Sequence, residues 1–176
     1  MNQNSSAVLS GPTPHAASVA ATRLSSRARP PAQRNPSRLV DRIHLSRTRK
    51  TPYEAACISV AAAQAARAHA AAEEAFRAGE SEFGIHLSYL EACEHTDSQL
   101  PYNNIVALNE HGAILHYTDL DRAPPDEIRS FLIDAGGQVH GYAADITRTY
   151  SKGDEQFSDL IARMETLQQD IVSRVR

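Results

Sequence analysis

Two aspartates, Asp134 and Asp145, lie eleven residues apart in a segment whose other residues are typical of buried strands. Apolar residues 131–133 lead into the first aspartate, glycines occupy 136–137, and residues 142–150 resume with β-branched and aromatic side chains. This pattern predicts a strand, a turn and a second strand. A carboxylate at the inner end of an apolar strand is costly to bury unless a cation or hydrogen-bond donors compensate its charge. A divalent metal ion, or a pair of them, would bind both carboxylates as ligands.

The spacing also predicts how the two carboxylates meet. Because Asp134 and Asp145 are symmetric about the bond between Val139 and His140, a hairpin that closes there would place them directly opposite each other. Opposed side chains lie about 4.5–5.5 Å apart at Cβ, which suits carboxylates that bridge metal ions about 3.5–4 Å apart. A structural alternative stays open, because an aspartate before Ala-Gly-Gly is common in turns and Asp145 could be a charge on an edge strand.

Three short segments, taken in their order and spacing, carry a resemblance to a known family. They are Ile-Leu-His-Tyr at 114–117, Phe-Leu-Ile-Asp-Ala-Gly at 131–136 and Gly-Tyr-Ala-Ala-Asp-Ile-Thr-Arg-Thr at 141–149. Over roughly residues 40–176 the chain resembles the first half of the catalytic domain of the pita-bread metallopeptidases. It is most similar to the bacterial Xaa-Pro dipeptidases (prolidases), with aminopeptidase P as the alternative. The resemblance implies an α+β fold in which long helices pack on one face of an antiparallel sheet.

The resemblance also implies a site with two metal ions, usually Mn²⁺, held by two Asp, one His and two Glu. It places the two aspartate ligands on Asp134 and Asp145. The histidine of Leu-His-Tyr, His116, becomes a catalytic residue that helps to bind substrate and is not a metal ligand. Thr147 is a candidate donor to a metal-binding carboxylate. Because no residue after Thr149 offers the missing ligands, we expect an incomplete site and an inactive fragment of a larger enzyme.

The implied activity is hydrolysis of dipeptides with a C-terminal proline, in which a water activated by the two ions attacks the carbonyl before proline. The implied partners are an Xaa-Pro dipeptide and, as in relatives, a second copy in a homodimer. Two other function classes stay open. The chain could be a non-catalytic pita-bread-like binding protein, or its basic N-terminal segment could be the functional part that directs it to an organelle or a polyanion.

Charge divides the chain into two parts. Residues 1–40 hold five Arg and no Asp or Glu, which leaves 13 basic and 21 acidic residues for 41–176. We therefore predict a disordered basic leader over 1–40 and a partial metallopeptidase domain over 41–176. The leader has no aromatic residue to stack a base, so no nucleic-acid partner is predicted. No apolar run approaches about 18 residues, so no membrane partner is predicted.

Cys57 and Cys93 are predicted to be free thiols in a reducing cytoplasm.

Capping signals predict two long helices before the aspartates. Residues 51–54, Thr-Pro-Tyr-Glu, combine an N-cap, a proline at the first helical position and a capping-box glutamate. No Gly or Pro follows until Gly79, which is a suitable C-terminal stop. Ser81 can cap a second helix through about Cys93. The histidines of this region, His69, His86 and His95, are expected at the surface or in an interface without a metal role.

Strand and helix patterns complete the prediction. Apolar residues predict strands over 104–108 and 113–116. From Phe157 to Val175 apolar residues recur at helical spacing, which predicts an amphipathic helix over about 154–176. Its apolar stripe is expected to require a partner surface, and further chain is expected after it.

Overall fold

The computed structural model describes residues 35–175, which divide into two units between Arg49 and Lys50. The described part of the first unit contains helix α1 (Ser37–Thr48), in which no residue is buried. The predicted domain start at residue 41 therefore falls inside a helix. The predicted leader lies outside the described residues up to position 34.

Two helices form one layer of the second unit. Helix α2 (Pro52–Ala78) begins with a capping box, because Thr51 Oγ1 accepts a hydrogen bond from Glu54 N and Thr51 N donates to the Glu54 carboxylate. The helix ends at Gly79, whose φ of 91° is left-handed. Helix α3 (Glu82–Cys93) is capped by the serine that precedes it. The two predicted helices are therefore confirmed. Their ends follow the sequence signals because the caps bind the terminal amide groups through neighbouring residues.

A three-stranded antiparallel sheet packs against these helices. Its order is β1 (Ile105–Leu108), β2 (Ser130–Ala135) and β5 (Ile146–Ser151), with β2 in the centre. Two short strands, β3 (Gln138–Val139) and β4 (Tyr142–Ala143), form a hairpin between β2 and β5. The predicted α+β architecture, an antiparallel sheet with long helices on one face, is confirmed.

The core lies between the helices and one face of the sheet. Phe131 of β2 stacks on Phe76 of α2 with ring centroids 5.2 Å apart and on Tyr150 of β5 at 5.7 Å. Alternate residues of β2 are buried, and Asp134 belongs to the half-buried set between them. Because side chains alternate along a strand, Asp134 points away from this core. The helix layer thus holds β2 rigid while leaving its carboxylate on the other face.

The predicted strand over 113–116 is wrong. Residues Asn109–Ala113 form a 3-10 helix, and a turn follows in which Tyr117 N donates to Ile114 O at 3.3 Å. The left-handed Asn109, with φ of 52°, ends β1. Its side-chain oxygen accepts from the backbone N–H groups of Arg129 and Ser130 at 2.8 and 3.2 Å. A side chain that bonds backbone groups in this way competes with continuation of a strand.

Helix α4 (Glu155–Arg174) follows β5 and confirms the predicted amphipathic helix. None of its residues is buried; Phe157 and Ile161 are half-buried, whereas Leu160, Met164, Leu167, Ile171 and Val172 are more than half exposed. A groove of about 950 Å³, here called the α4 groove, lies between α4 and the sheet face opposite the core. It is lined, among others, by Ser130, Leu132, Thr147, Thr149, Phe157, Leu160, Ile161 and Met164.

Two further expectations concern the chain as a whole. Cys57 and Cys93 are both buried and free, as predicted. No helix within residues 35–175 combines the length and the apolar character needed to cross a membrane.

Candidate metal centre

Both predicted metal ligands converge on one hydroxyl group. The Tyr102 hydroxyl oxygen lies 2.9 Å from Asp134 Oδ1 and 3.0 Å from Asp145 Oδ1. Because a hydroxyl carries a single proton, it can donate to one carboxylate at a time. Tyr102 thus brings two like-charged groups into one site and offers a hydrogen bond to either of them. Tyr102 is not among the predicted site residues, because its proximity to the aspartates depends on the pairing of β1 with β2.

The register differs from the predicted one by two residues. The hairpin closes with His140 and Gly141, both left-handed with φ of 51° and 83°, as a two-residue turn between Val139 and Tyr142. Asp134 consequently pairs with Thr147 and not with Asp145. The prediction that the two aspartates are directly opposed is therefore wrong. A shift of two residues keeps a side chain on the same face of a sheet, which is why Asp145 still reaches Tyr102.

The electrostatics of the site favour a bound cation. Within residues 35–175 neither Asp134 nor Asp145 forms an ion pair, and Tyr102 is their shared hydrogen-bond donor. The pKa of Tyr102 is raised, first by burial and then by its hydrogen bonds to the two carboxylates, so the hydroxyl remains protonated. Two carboxylates that have no ion-pair partner among the described residues offer the oxygen ligands that hard divalent cations prefer. The residues present therefore fit a metal ion.

The side chains of the other predicted site residues form no hydrogen bond with this pair. His116 is exposed in a turn, with a left-handed φ of 56°, and it makes no hydrogen bond or ion pair with either aspartate. The backbone of Thr147 pairs with that of Asp134, but the threonine hydroxyl is not hydrogen-bonded to either carboxylate. The roles of His116 and Thr147 stay predictions.

The histidines of helices α2 and α3 and of the loop that follows α3 are more buried than expected. His69 and His86 are buried and His95 is half-buried. His69 Nε2 lies 3.1 Å from Ala135 O, next to the candidate ligand of β2, and burial lowers the pKa of this histidine. These side chains are buried because each finds a polar partner in the fold, which sequence spacing does not reveal.

A second group of ligand-type residues has a different character. One ligand atom from each of Glu82, His111 and Asp121 lies within 4.8 Å of the other two. The Glu82 carboxylate, however, already accepts hydrogen bonds from Leu108 N, His111 Nδ1, Tyr117 Oη and Asp121 N. Donor hydrogens that point at an anion stabilise it without a cation. This cluster is therefore a buried carboxylate satisfied by hydrogen-bond donors and not a metal centre.

Comparison with known proteins gives the family. The model of metallopeptidase family M24 matches residues 56–176. The Xaa-Pro dipeptidase of Sodalis glossinidius (strain morsitans) is 49% identical over 142 residues, which cover 80% of this chain and 32% of that relative. The Xaa-Pro dipeptidase of Escherichia coli O9:H4 (strain HS) is 49% identical over 143 residues, with 81% and 32% covered.

A solved structure supports the same assignment. Zn-substituted E. coli aminopeptidase P in complex with product has a TM-score of 0.51 and 38% sequence identity, and the match covers 58% of this chain and 23% of that one. The mixed helix-and-sheet fold, with its antiparallel sheet, is thus that of the pita-bread metallopeptidases. The chain belongs to metallopeptidase family M24. It spans about a third of the length of the curated relatives it matches.

Proposed function

We propose that this chain supplies part of an Xaa-Pro dipeptidase site, with Asp134 and Asp145 as metal ligands and His116 as a catalytic residue that binds substrate. The observation that carries the proposal is the convergence of two carboxylates without an ion pair on the Tyr102 hydroxyl. The M24 family assignment and the similarity to Xaa-Pro dipeptidases support it.

Each residue of the proposed site has a distinct task. Asp134 is held in the central strand of the sheet, so its position is fixed by ladders on both sides. Asp145 lies just before β5, and Tyr102, in the bend three residues before β1, orients both carboxylates. A bound ion or pair of ions would supply a Lewis acid for amide hydrolysis. Oxygen ligands suit Mn²⁺, which is the proposed metal.

The proposed substrate is a dipeptide with a C-terminal proline. The greater identity to Xaa-Pro dipeptidases, 49% over 80% of the chain, favours it over an aminopeptidase P-like activity, for which the match is 38% identical over 58%. Within residues 35–175 no third ligand-type side chain joins the two aspartates. We therefore propose that the chain is inactive by itself and that the remaining ligands come from a second fragment.

Metal binding and catalysis test this proposal separately. Titration with Mn²⁺, followed by calorimetry, should show weak binding that either Asp134→Asn or Asp145→Asn removes. The matched control is Asp126→Asn, which changes an exposed aspartate in a loop and should leave binding intact. Binding that survives both site substitutions would overturn the assignment of the ligands.

Proline release from Ala-Pro with added Mn²⁺ tests the second point. The chain alone should release none, whereas addition of the remaining part of an Xaa-Pro dipeptidase should restore turnover that Asp145→Asn abolishes. Turnover by the chain alone, lost in Asp134→Asn, would show that the site is complete without a second fragment.

A further inference from the structure

The segment that carries His116 is irregular, yet several of its residues form hydrogen bonds with a single carboxylate. It runs from the end of β1 through the 3-10 helix Asn109–Ala113 to Asp121. The carboxylate of Glu82, the first residue of α3, lies beneath it and is only 1% exposed. A buried carboxylate with no Lys or Arg partner is stable only if donors satisfy it. Here all of its partners belong to this segment or to the strand end that precedes it.

The two carboxylate oxygens of Glu82 accept hydrogen bonds from opposite sides of the turn that contains His116. Oε1 accepts hydrogen bonds from Leu108 N and His111 Nδ1, both at 2.8 Å, on the side before His116. Oε2 accepts from Tyr117 Oη at 2.7 Å and from Asp121 N at 3.0 Å, on the side after it. Hydrogen bonds to an ionised acceptor are roughly twice as strong as neutral ones.

The residues before and after His116 that bind the Glu82 carboxylate also contact each other. The rings of His111 and Tyr117 stack with centroids 4.6 Å apart. Burial and the hydrogen bond to Glu82 raise the pKa of Tyr117, which keeps its hydroxyl protonated as a donor. Between the flanks, His116 sits at the turn in a left-handed conformation that few non-glycine residues adopt. Such a conformation persists when its surroundings fix it, and the bonds to Glu82 are the fixed points on either side.

We propose that Glu82 is a positioning residue for His116, because its carboxylate oxygens fix the two ends of the turn that presents the histidine. Glu82 itself is buried beneath the segment and is not a metal ligand. The inference rests on the proposed role of His116. The geometry can nevertheless be tested without metal or substrate, so a failed activity assay would leave it standing and a failed geometry test would leave the metal assignment standing.

The test is amide hydrogen exchange and NMR of the 176-residue chain. Glu82→Gln replaces one carboxylate oxygen, which accepts hydrogen bonds, with an amide NH₂ group, which donates them. The donors on one side of the His116 turn then lose their acceptor. Exchange of amides over 108–121 should accelerate by about tenfold or more, and the ring resonances of His116 should shift, while the amides of α2 and β2 keep their protection. The control is Glu91→Gln, the same change at an exposed position of the same helix. Unchanged exchange over 108–121 in Glu82→Gln would overturn the proposal.

A milder variant guards against general unfolding. Tyr117→Phe removes one donor to Oε2 and leaves the carboxylate in place. Exchange should then accelerate over 114–121 and the His116 resonances should move, with the bond between His111 and Glu82 retained. If Glu82→Gln unfolds the whole domain and Tyr117→Phe leaves both readouts unchanged, Glu82 has a general structural role and the proposal is wrong.

Discussion

At the scale of single residues, the hydroxyl of Tyr102 holds two carboxylates that would otherwise only repel each other. Removal of this hydroxyl in Tyr102→Phe should lower the free energy of unfolding by about 1 kcal/mol, since one hydrogen bond to a charged group is lost at a half-buried position. Loss of such an orienting partner should weaken Mn²⁺ binding by about 10-fold or more without abolishing it.

Calorimetry and urea unfolding check the Tyr102 prediction. Tyr142→Phe is the matched control, because the Tyr142 hydroxyl lies on the β3–β4 hairpin between the two aspartates and donates to Glu54 Oε1 at 3.2 Å instead of to the aspartates. Mn²⁺ affinity equal to that of the unmodified chain would mean that Tyr102 does not orient the ligands.

His111 should make stability depend on pH. Its hydrogen bond to Glu82 raises the pKa of this histidine in the folded chain. A group whose folded pKa lies above its unfolded value contributes stability that is complete below the unfolded pKa, about 6.5, and is lost as pH rises through the folded pKa. Urea unfolding at several pH values from about 5.5 to 8.5 should therefore show a decline that His111→Gln removes.

The control for His111 is an exposed histidine. His44→Gln, in α1, changes a residue outside the Glu82 cluster and should leave the decline as it is. Identical pH profiles for the unmodified chain and His111→Gln would refute the linkage.

At the scale of secondary-structure elements, the turn of the β3–β4 hairpin sets the register of the site. Gly141 has a φ of 83°, and an added Cβ would meet no atom within 4 Å. Gly141→Ala should therefore cost about 1–2 kcal/mol through backbone strain alone. Gly112→Ala is the matched control, because Gly112 has no such φ and its added Cβ would lie at an ordinary 3.6 Å from Leu132. Urea unfolding that ranks the two variants equally would contradict this account.

The elements differ in how far the sequence predicts them. The ends of α2 follow from Thr51, Glu54 and Gly79, whose interactions are local and therefore visible in the order of residues. The path of the segment after β1 depends on Glu82, which lies 26 residues before the amide of Leu108 that it binds. No local pattern encodes such a contact, which is why a strand was predicted over 113–116, where the 3-10 helix ends and the chain turns.

The candidate site was predictable in kind and not in detail. The types and spacing of Asp134 and Asp145 indicated a shared carboxylate site, and the structure brings both to one atom. Their register depended on whether the chain turned at Val139–His140 or one position later, and Gly141 decides it because glycine accepts a left-handed conformation. The contribution of Tyr102 required the sheet order, which spacing does not supply.

At the scale of the whole molecule, the exposed face of α4 should cause self-association with a second copy of the chain. Leu160, Met164, Leu167 and Ile171 follow the helical repeat and are each more than half exposed. Large exposed apolar patches promote association. Sedimentation velocity should show a mass that rises with concentration, and Leu167→Glu should reduce it.

The control for α4 adds the same charge at a polar position outside the apolar stripe of the helix. Thr166→Glu lies about 100° from Leu167 around the axis and should leave association unchanged. A chain that stays monomeric at every concentration and binds no hydrophobic dye would show that this face does not self-associate.

The two-residue turn at His140–Gly141 has a consequence for the order of folding. The β3–β4 hairpin closes over neighbouring residues, and such hairpins form in about 1–10 μs. Pairing of β1 with β2 must first close a far longer loop, which is entropically slower. We therefore expect the hairpin, and with it the alignment of Asp134 with Thr147, to be present in the folding transition state. Gly141→Ala should then slow refolding and leave the unfolding rate nearly unchanged, whereas an increase confined to the unfolding rate would place the hairpin late. The register that separates the two candidate ligands would then be established by the β3–β4 hairpin, before β1 pairs with β2.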